Sequence, residues 1–344
     1  MSVTIKDIAA VAKVSRGTVD RVLNNRGGVN PDVEERVRMV VKALGYKPNS
    51  AAKALSILKK RMVFGVLLPS INNPFFKDLI AGIYAAQKEY EDYGVKVILK
   101  EMSGYDVENQ IEFIDELLSD EITALAFLPF DDRKIAEKIN QIVASGIPVV
   151  TINSDIENSA RNCYIGVDFV QSGRIAAGLM GLINSRAQIL VLSGTGKLLS
   201  HNQRIRGFCE VMDSRLSDLS IIETLECNDN DFLAYDLVSK SLSMHPQIDA
   251  LYITGEGIKG ACEAISKFND RKISTICYDD GPHIKQLVKE GKINATICQQ
   301  PFKQGYESIA YLFKYLAGAE LSDKNSILMD NIIEIIENID YKLQ

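Results

Sequence analysis

Hydrophobic positions along this chain follow two different rhythms. Over the first forty-five residues they recur at helical spacing in three short stretches. Ile5, Ile8, Ala9 and Ala12 share one face of a predicted helix that opens on a Thr4/Asp7 capping pair. Val19, Val22 and Leu23 form the inner face of a second, which Ser15 starts, while Arg16, Gly17, Asp20 and Arg21 share its outer face. A third begins at Asn30-Pro31, buries Val33, Val37, Val40 and Leu44, and stops at Gly45. From Met62 the rhythm changes. Short apolar runs at 63–68, 95–99, 124–128, 149–152, 189–192, 250–253, 275–278 and 295–297 alternate with amphipathic stretches such as 76–93 and 107–118. Strand-helix alternation over this length predicts α/β architecture, with parallel sheets covered by helices on both faces.

Charge divides the chain at the same place. Residues 1–61 carry thirteen Lys/Arg and five Asp/Glu, a formal +8, whereas residues 62–344 carry 26 bases and 40 acids, a formal −14. A basic, patterned head suits attraction to a phosphate backbone, and an acidic body is repelled from it. A lysine-rich solvated tail would lack the helical pattern. The six cysteines lie far apart without C-x-x-C spacing and read as reduced core residues. The N-terminus lacks a secretory signature and no apolar run approaches bilayer-spanning length, so a cytoplasmic protein without membrane association is expected.

The stretches T-I-K-D-I-A-A-V-A-K-V-S-R-G-T-V-D-R-V-L-N, G-Y-K-P-N and A-A-K-A-L resemble the lac repressor family of bacterial transcription regulators. The resemblance implies a helix-turn-helix DNA-binding domain over 1–48, a hinge helix and linker over 49–61, and an effector-binding and dimerisation domain over 62–344 of periplasmic-binding-protein-like type. Its first lobe is expected at about 62–165 and 296–325, its second at about 166–292 and 326–338, with three crossings between doubly wound lobes. The partners implied are double-stranded operator DNA, a second copy of the chain, and a monosaccharide or sugar derivative; no cofactor or metal is expected. By position, Thr4, Ser15, Arg16, Gly17, Thr18, Arg21 and Asn24 would approach DNA from the head, and Ser50, Ala52 and Leu55 from the hinge. Leu55 matches a residue that wedges a base step from the minor groove, against the competing reading of an ordinary linker leucine. Gly17 and Asp20 depart from the usual residues of the recognition helix, which implies fewer base contacts than in the archetype.

In such folds ligands bind beyond the carboxyl ends of the strands. Asn73, Phe75 and Phe76 follow the first strand and look like a loop that lays aromatic rings against a sugar. Arg204, Asp279 and Gln299 match effector-gripping positions, with surface salt bridging as the alternative for the charged pair. Asn153, next to Ser154, stands where ribose-type clamps have an Asp-Arg pair, and Thr254 where they have an Asn. Both departures weaken the case for ribose itself. Asp168 or Gln171 could instead line the region between the lobes.

An enzyme is disfavoured. No G-x-G-x-x-G follows the first strand, and the segment 194–198 fails the P-loop pattern, with Val191 and Leu198 where Gly and Ser/Thr are required. His201, His245 and His283 form no ligand-spaced set, and no G-x-S-x-G occurs. A periplasmic-type sugar receptor without DNA function is the other competing class; the helical head argues against it.

Overall fold

A computed structural model describes residues 3–23, 27–46, 61–71, 73–268, 270–319, 321 and 325–340. The chain divides into two compact units, with the main boundary between Arg61 and Met62.

The first unit is the helical head, with α1 (Ile5–Ala12), α2 (Arg16–Leu23) and α3 (Pro31–Ala43). Each start is capped as the sequence predicts. The Asp7 N–H donates to Thr4 Oγ1 while Asp7 accepts from the Thr4 N–H. The Thr18 N–H donates to Ser15 Oγ (3.0 Å), and Asn30 accepts from the Asp32 N–H with Pro31 at the first turn. Such caps satisfy helix-start donors and contribute about 1 kcal/mol apiece. The three helices enclose Ile8, Ala9, Ala12, Val19, Val22 and Val37, with ten partly buried apolar residues around them. Arg16, Gly17 and Arg21 are exposed on the opposite face of α2. Asn24, Ser50, Ala52 and Leu55 lie outside the described residues.

The second unit holds two six-stranded sheets. The first contains β1 (Met62–Leu68), β2 (Val95–Glu101), β3 (Ala124–Phe127), β4 (Val149–Ile152), β5 (Cys163–Val167) and β11 (Ser326–Met329), ordered β11-β5-β4-β3-β1-β2 and parallel throughout. The second contains β6 (Gln188–Ser193), β7 (Ser220–Glu226), β8 (Ala250–Ile253), β9 (Ser274–Tyr278), β10 (Ala295–Cys298) and β12 (Ile332–Glu334), ordered β12-β10-β9-β8-β6-β7, with β12 antiparallel. Helices α4 (Phe76–Glu89), α5 (Val107–Ser119), α6 (Arg133–Ala144) and α12 (Pro301–Leu316) belong with the first sheet. Helices α7 (Phe169–Ile183), α8 (Leu199–Arg215), α9 (Asp231–Met244), α10 (Ile258–Ile265) and α11 (Pro282–Lys289) belong with the second.

Two boundaries differ from the sequence reading. Residues 296–298, expected in the first lobe, lie in β10, an inner strand of the second sheet between β9 and β12. Residues 326–329, expected in the second lobe, pair with β5 of the first. The chain therefore crosses after Val167, after Gln299 and after Asp330. Strand partners are set by long-range pairing that no local pattern carries, so an apolar run marks a strand without naming its sheet. Four strands escaped the sequence reading altogether. β7, β11 and β12 are sheet edges with polar or half-exposed positions, and β5 is interrupted by Gly166.

Candidate functional site

Both sheets present their strand carboxyl ends to one cleft. Of the non-glycine residues with positive φ among the described residues, Asn153, Asn228, Asp229, Asp279 and Gln300 sit just past β4, β7, β9 and β10. Backbone held in this sparsely populated region gathers where side chains must be aimed rather than merely packed.

The cleft encloses a cavity of about 40 Å³, lined by Asn73, Phe75, Phe76, Tyr105, Leu128, Asn153, Leu198, Ser200, His201, Arg204, Asp229, Gly255, Glu256, Asp279 and Gln299. Seven of the eight residues selected from sequence therefore meet in one place. Thr254 is the exception: its hydroxyl donates to Ser193 Oγ (3.3 Å), and it serves the site through its backbone, whose carbonyl accepts from Arg204 Nη1 (2.6 Å). Asp168 and Gln171 are exposed, and Asp168 caps α7 by accepting from the Gln171 N–H. Small-molecule sites run to roughly 300 Å³ or more, and the cavity has room for about three waters. The lobes are closed, and entry of a monosaccharide requires them to part.

Closure has identifiable contacts. The Tyr105 hydroxyl of the first lobe donates to Asp229 of the second. Lys197 Nζ donates to the Tyr105 carbonyl (2.7 Å), the Asp131 N–H to the Lys197 carbonyl (2.8 Å), and the Ser200 N–H to Ser154 Oγ (3.3 Å). Along the cleft floor a relay joins the lobes: Asn153 Nδ2 donates to Gln299 Oε1 (3.1 Å), and Gln299 Nε2 to Asp279 Oδ1 (2.7 Å).

Arg204 is the central cation. It is 3 % exposed and lies over Tyr278, 3.5 Å from the ring centroid, with Phe169 at 4.8 Å. Its position is set by contact between α7 and α8, where Gly173 lies against the Arg204 carbonyl and Gly207 against that of Val170. Arg204 Nη1 is satisfied by Thr254, but Nε and Nη2 have no hydrogen-bond partner. Leaving charged donors unsatisfied in a buried site is costly, so two donors stand ready for acceptors on a ligand. His201 also lines the cavity, but burial lowers its pKa, and its Nδ1 accepts from the Thr195 N–H (2.9 Å).

The acids outnumber this cation. Burial pushes the Asp279 carboxyl up to about 6 despite the pull of Arg204 and Gln299. Burial, together with the nearby Asp279 and Asp229 charges, pushes Glu256 up to about 8. Asp229 accepts from the Glu256 N–H (2.8 Å) as well as from Tyr105. The sequence reading missed Tyr105, Asp229 and Glu256. They follow β2, β7 and β8, so the carboxyl-end rule points to all three once those strands are known; β7 was not, because of its edge character.

The head carries the other candidate surface. Ser15, Arg16, Gly17 and Arg21 are exposed along the start and outer face of α2, and Thr18 is half-buried beneath Ser15. Thr4 is exposed and engaged in its cap.

Residues 4–49 match the model for bacterial regulatory proteins of the lacI family, and residues 64–320 match that for a periplasmic binding protein domain. The ribose import binding protein of Bacillus subtilis (strain 168) is 28% identical over 257 residues, covering 74% of this chain and 81% of that protein. Catabolite control protein A of Staphylococcus epidermidis is 30% identical over 216 residues, 59% of this chain and 63% of that protein. The structure of a putative LacI transcriptional regulator from Bacteroides fragilis superposes with a TM-score of 0.75 at 22% identity, covering 83% of this chain and all of that one.

Proposed function

Because the chain belongs to the lacI family of bacterial regulatory proteins, with a periplasmic binding protein domain as its body, we propose that it is a sequence-specific transcription regulator controlled by a sugar-like effector. It represses carbohydrate uptake or catabolism genes, works as a cytoplasmic homodimer on near-palindromic operators, and carries out no catalysis. The observation that supports effector control most directly is Arg204, buried in an interlobe cleft with two donors free for ligand hydroxyls and flanked by Asp279, Gln299 and Asn153. Phe75 and Phe76, edge to face at 5.1 Å, supply apolar surface for the C–H face of a sugar. The exposed Arg16 and Arg21 of α2 suit insertion into a major groove.

A ligand shifts DNA binding only through unequal affinity for two arrangements of the protein. Residues of both lobes surround the cavity, so ligand binding favours one interlobe arrangement over another. Operator selection followed by filter binding with and without a saccharide panel tests the reading. Expected is a two-fold-symmetric site whose occupancy changes with one saccharide, and an Arg204→Ala variant that binds operator without responding. Absence of duplex binding would favour a sugar receptor instead, and an unchanged response in the variant would place the effector elsewhere.

A further inference from the structure

The charge inventory of the cleft narrows the effector class, on the premise that the interlobe cavity is the effector site. Three carboxyls, Asp229, Glu256 and Asp279, line a cavity in which Arg204 is the one permanently charged base among the described residues. His201 is kept toward its neutral form by burial, as is His283, whose Nε2 stands 3.9 Å from Glu256. Lys197 is directed to the Tyr105 carbonyl.

We propose that the effector is a monosaccharide-sized polyol bearing one protonated amine, with its hydroxyls accepting from Arg204 Nε and Nη2 and its ammonium group among Asp229, Glu256 and Asp279. Two independent observations meet here. The unpartnered donors of Arg204 call for oxygen acceptors on the ligand. The surplus of carboxyls calls for a cation, since like charges sharing a low-dielectric site oppose one another's ionisation until a counter-charge arrives. Burial is the main cause that raises the Glu256 and Asp279 carboxyls, and the nearby Asp229 charge adds to it at both, so an ammonium group among them would favour their ionised forms. Uronates and sugar phosphates fit poorly, because their anionic group would face the carboxyls of Asp229 and Asp279 with Arg204 alone in compensation, while Glu256, raised to about 8, supplies no positive charge.

The test is calorimetry on the full chain at pH 7 with matched pairs: D-glucosamine against D-glucose, D-galactosamine against D-galactose, 6-amino-6-deoxyglucose and 1-deoxynojirimycin against glucose, each amino sugar also as its N-acetyl derivative. Expected is at least one amine that binds tenfold or more tightly than its hydroxyl counterpart, an advantage removed by N-acetylation. Glu256→Gln and Asp229→Asn, each checked for a cooperative melting transition, should each reduce that advantage. If the tightest ligand is a neutral polyol that matches or beats its amine, the inference is overturned while sugar control of the regulator stands. If neither class binds, both the inference and the saccharide reading of the cleft fall together.

Discussion

Gly173 in α7 lies directly against the backbone carbonyl of Arg204 in α8; a Cβ there would stand 2.0 Å from that oxygen. The contact sets the height of α8 over the second sheet and hence the reach of the guanidinium into the cleft. Gly173→Ala must separate the helices or shift their backbones, and overpacking of this kind costs about 1 to 3 kcal/mol. The variant is expected to melt lower and to bind effector more weakly, while the head, a separate unit with its own core, retains its fold. Melting curves and operator titrations with and without effector check this. An unaltered effector affinity would show that Arg204 does not depend on the helix contact.

Tyr105 and Asp229 join the lobes across the cleft mouth. A hydrogen bond to a charged group contributes about 1.5 to 3 kcal/mol net, so Tyr105→Phe should weaken the closed arrangement. Effector affinity is expected to fall by about tenfold or more, mainly through faster dissociation. Stopped-flow release measures it, and equal off-rates would reduce the pair to a passive contact.

Glu256 makes the stability of the body pH-dependent in a defined sense. Its carboxyl sits at about 8 in the folded protein against an ordinary 4.5, so the folded state keeps a proton that the unfolded chain has released. This group's contribution is therefore unperturbed below about pH 4.5, grows more unfavourable as pH rises to about 8, and is constant above. Glu256→Gln, which imitates the protonated acid, should match the wild type near pH 4.5 and melt higher at pH 9. Each kcal/mol corresponds to roughly 2 to 4 °C for a unit of this size. Identical curves at pH 9 would place the carboxyl in a less buried setting.

Arg21 stands exposed on the outer face of α2, one turn on from Arg16 and Gly17. Arg21→Ala is expected to cost about 1 to 3 kcal/mol on the selected operator and to relax preference at one base pair in each half-site. A uniform loss across all sequences would instead assign it to the phosphate backbone.

The sequence by itself determined the head and the candidate residues at the strand ends. Caps such as Thr4/Asp7 and Asn30, and apolar stripes such as Ile8/Ala9/Ala12, act within a turn or two of helix, so composition and spacing specify them locally. Asn73, Phe75, Arg204, Asp279 and Gln299 were legible because they follow strands or match a family pattern. Tertiary structure alone decided which strand joins which sheet, exchanging 296–298 and 326–329 between the lobes, because pairing energy belongs to residues far apart in the chain. It also decided that Thr254 works through its carbonyl, that Tyr105 meets Asp229 across 124 positions of sequence, and that Glu256 shares a buried cleft with two other acids. Burial and charge proximity are properties of the assembled cleft, and a residue acquires them only when distant segments close around it.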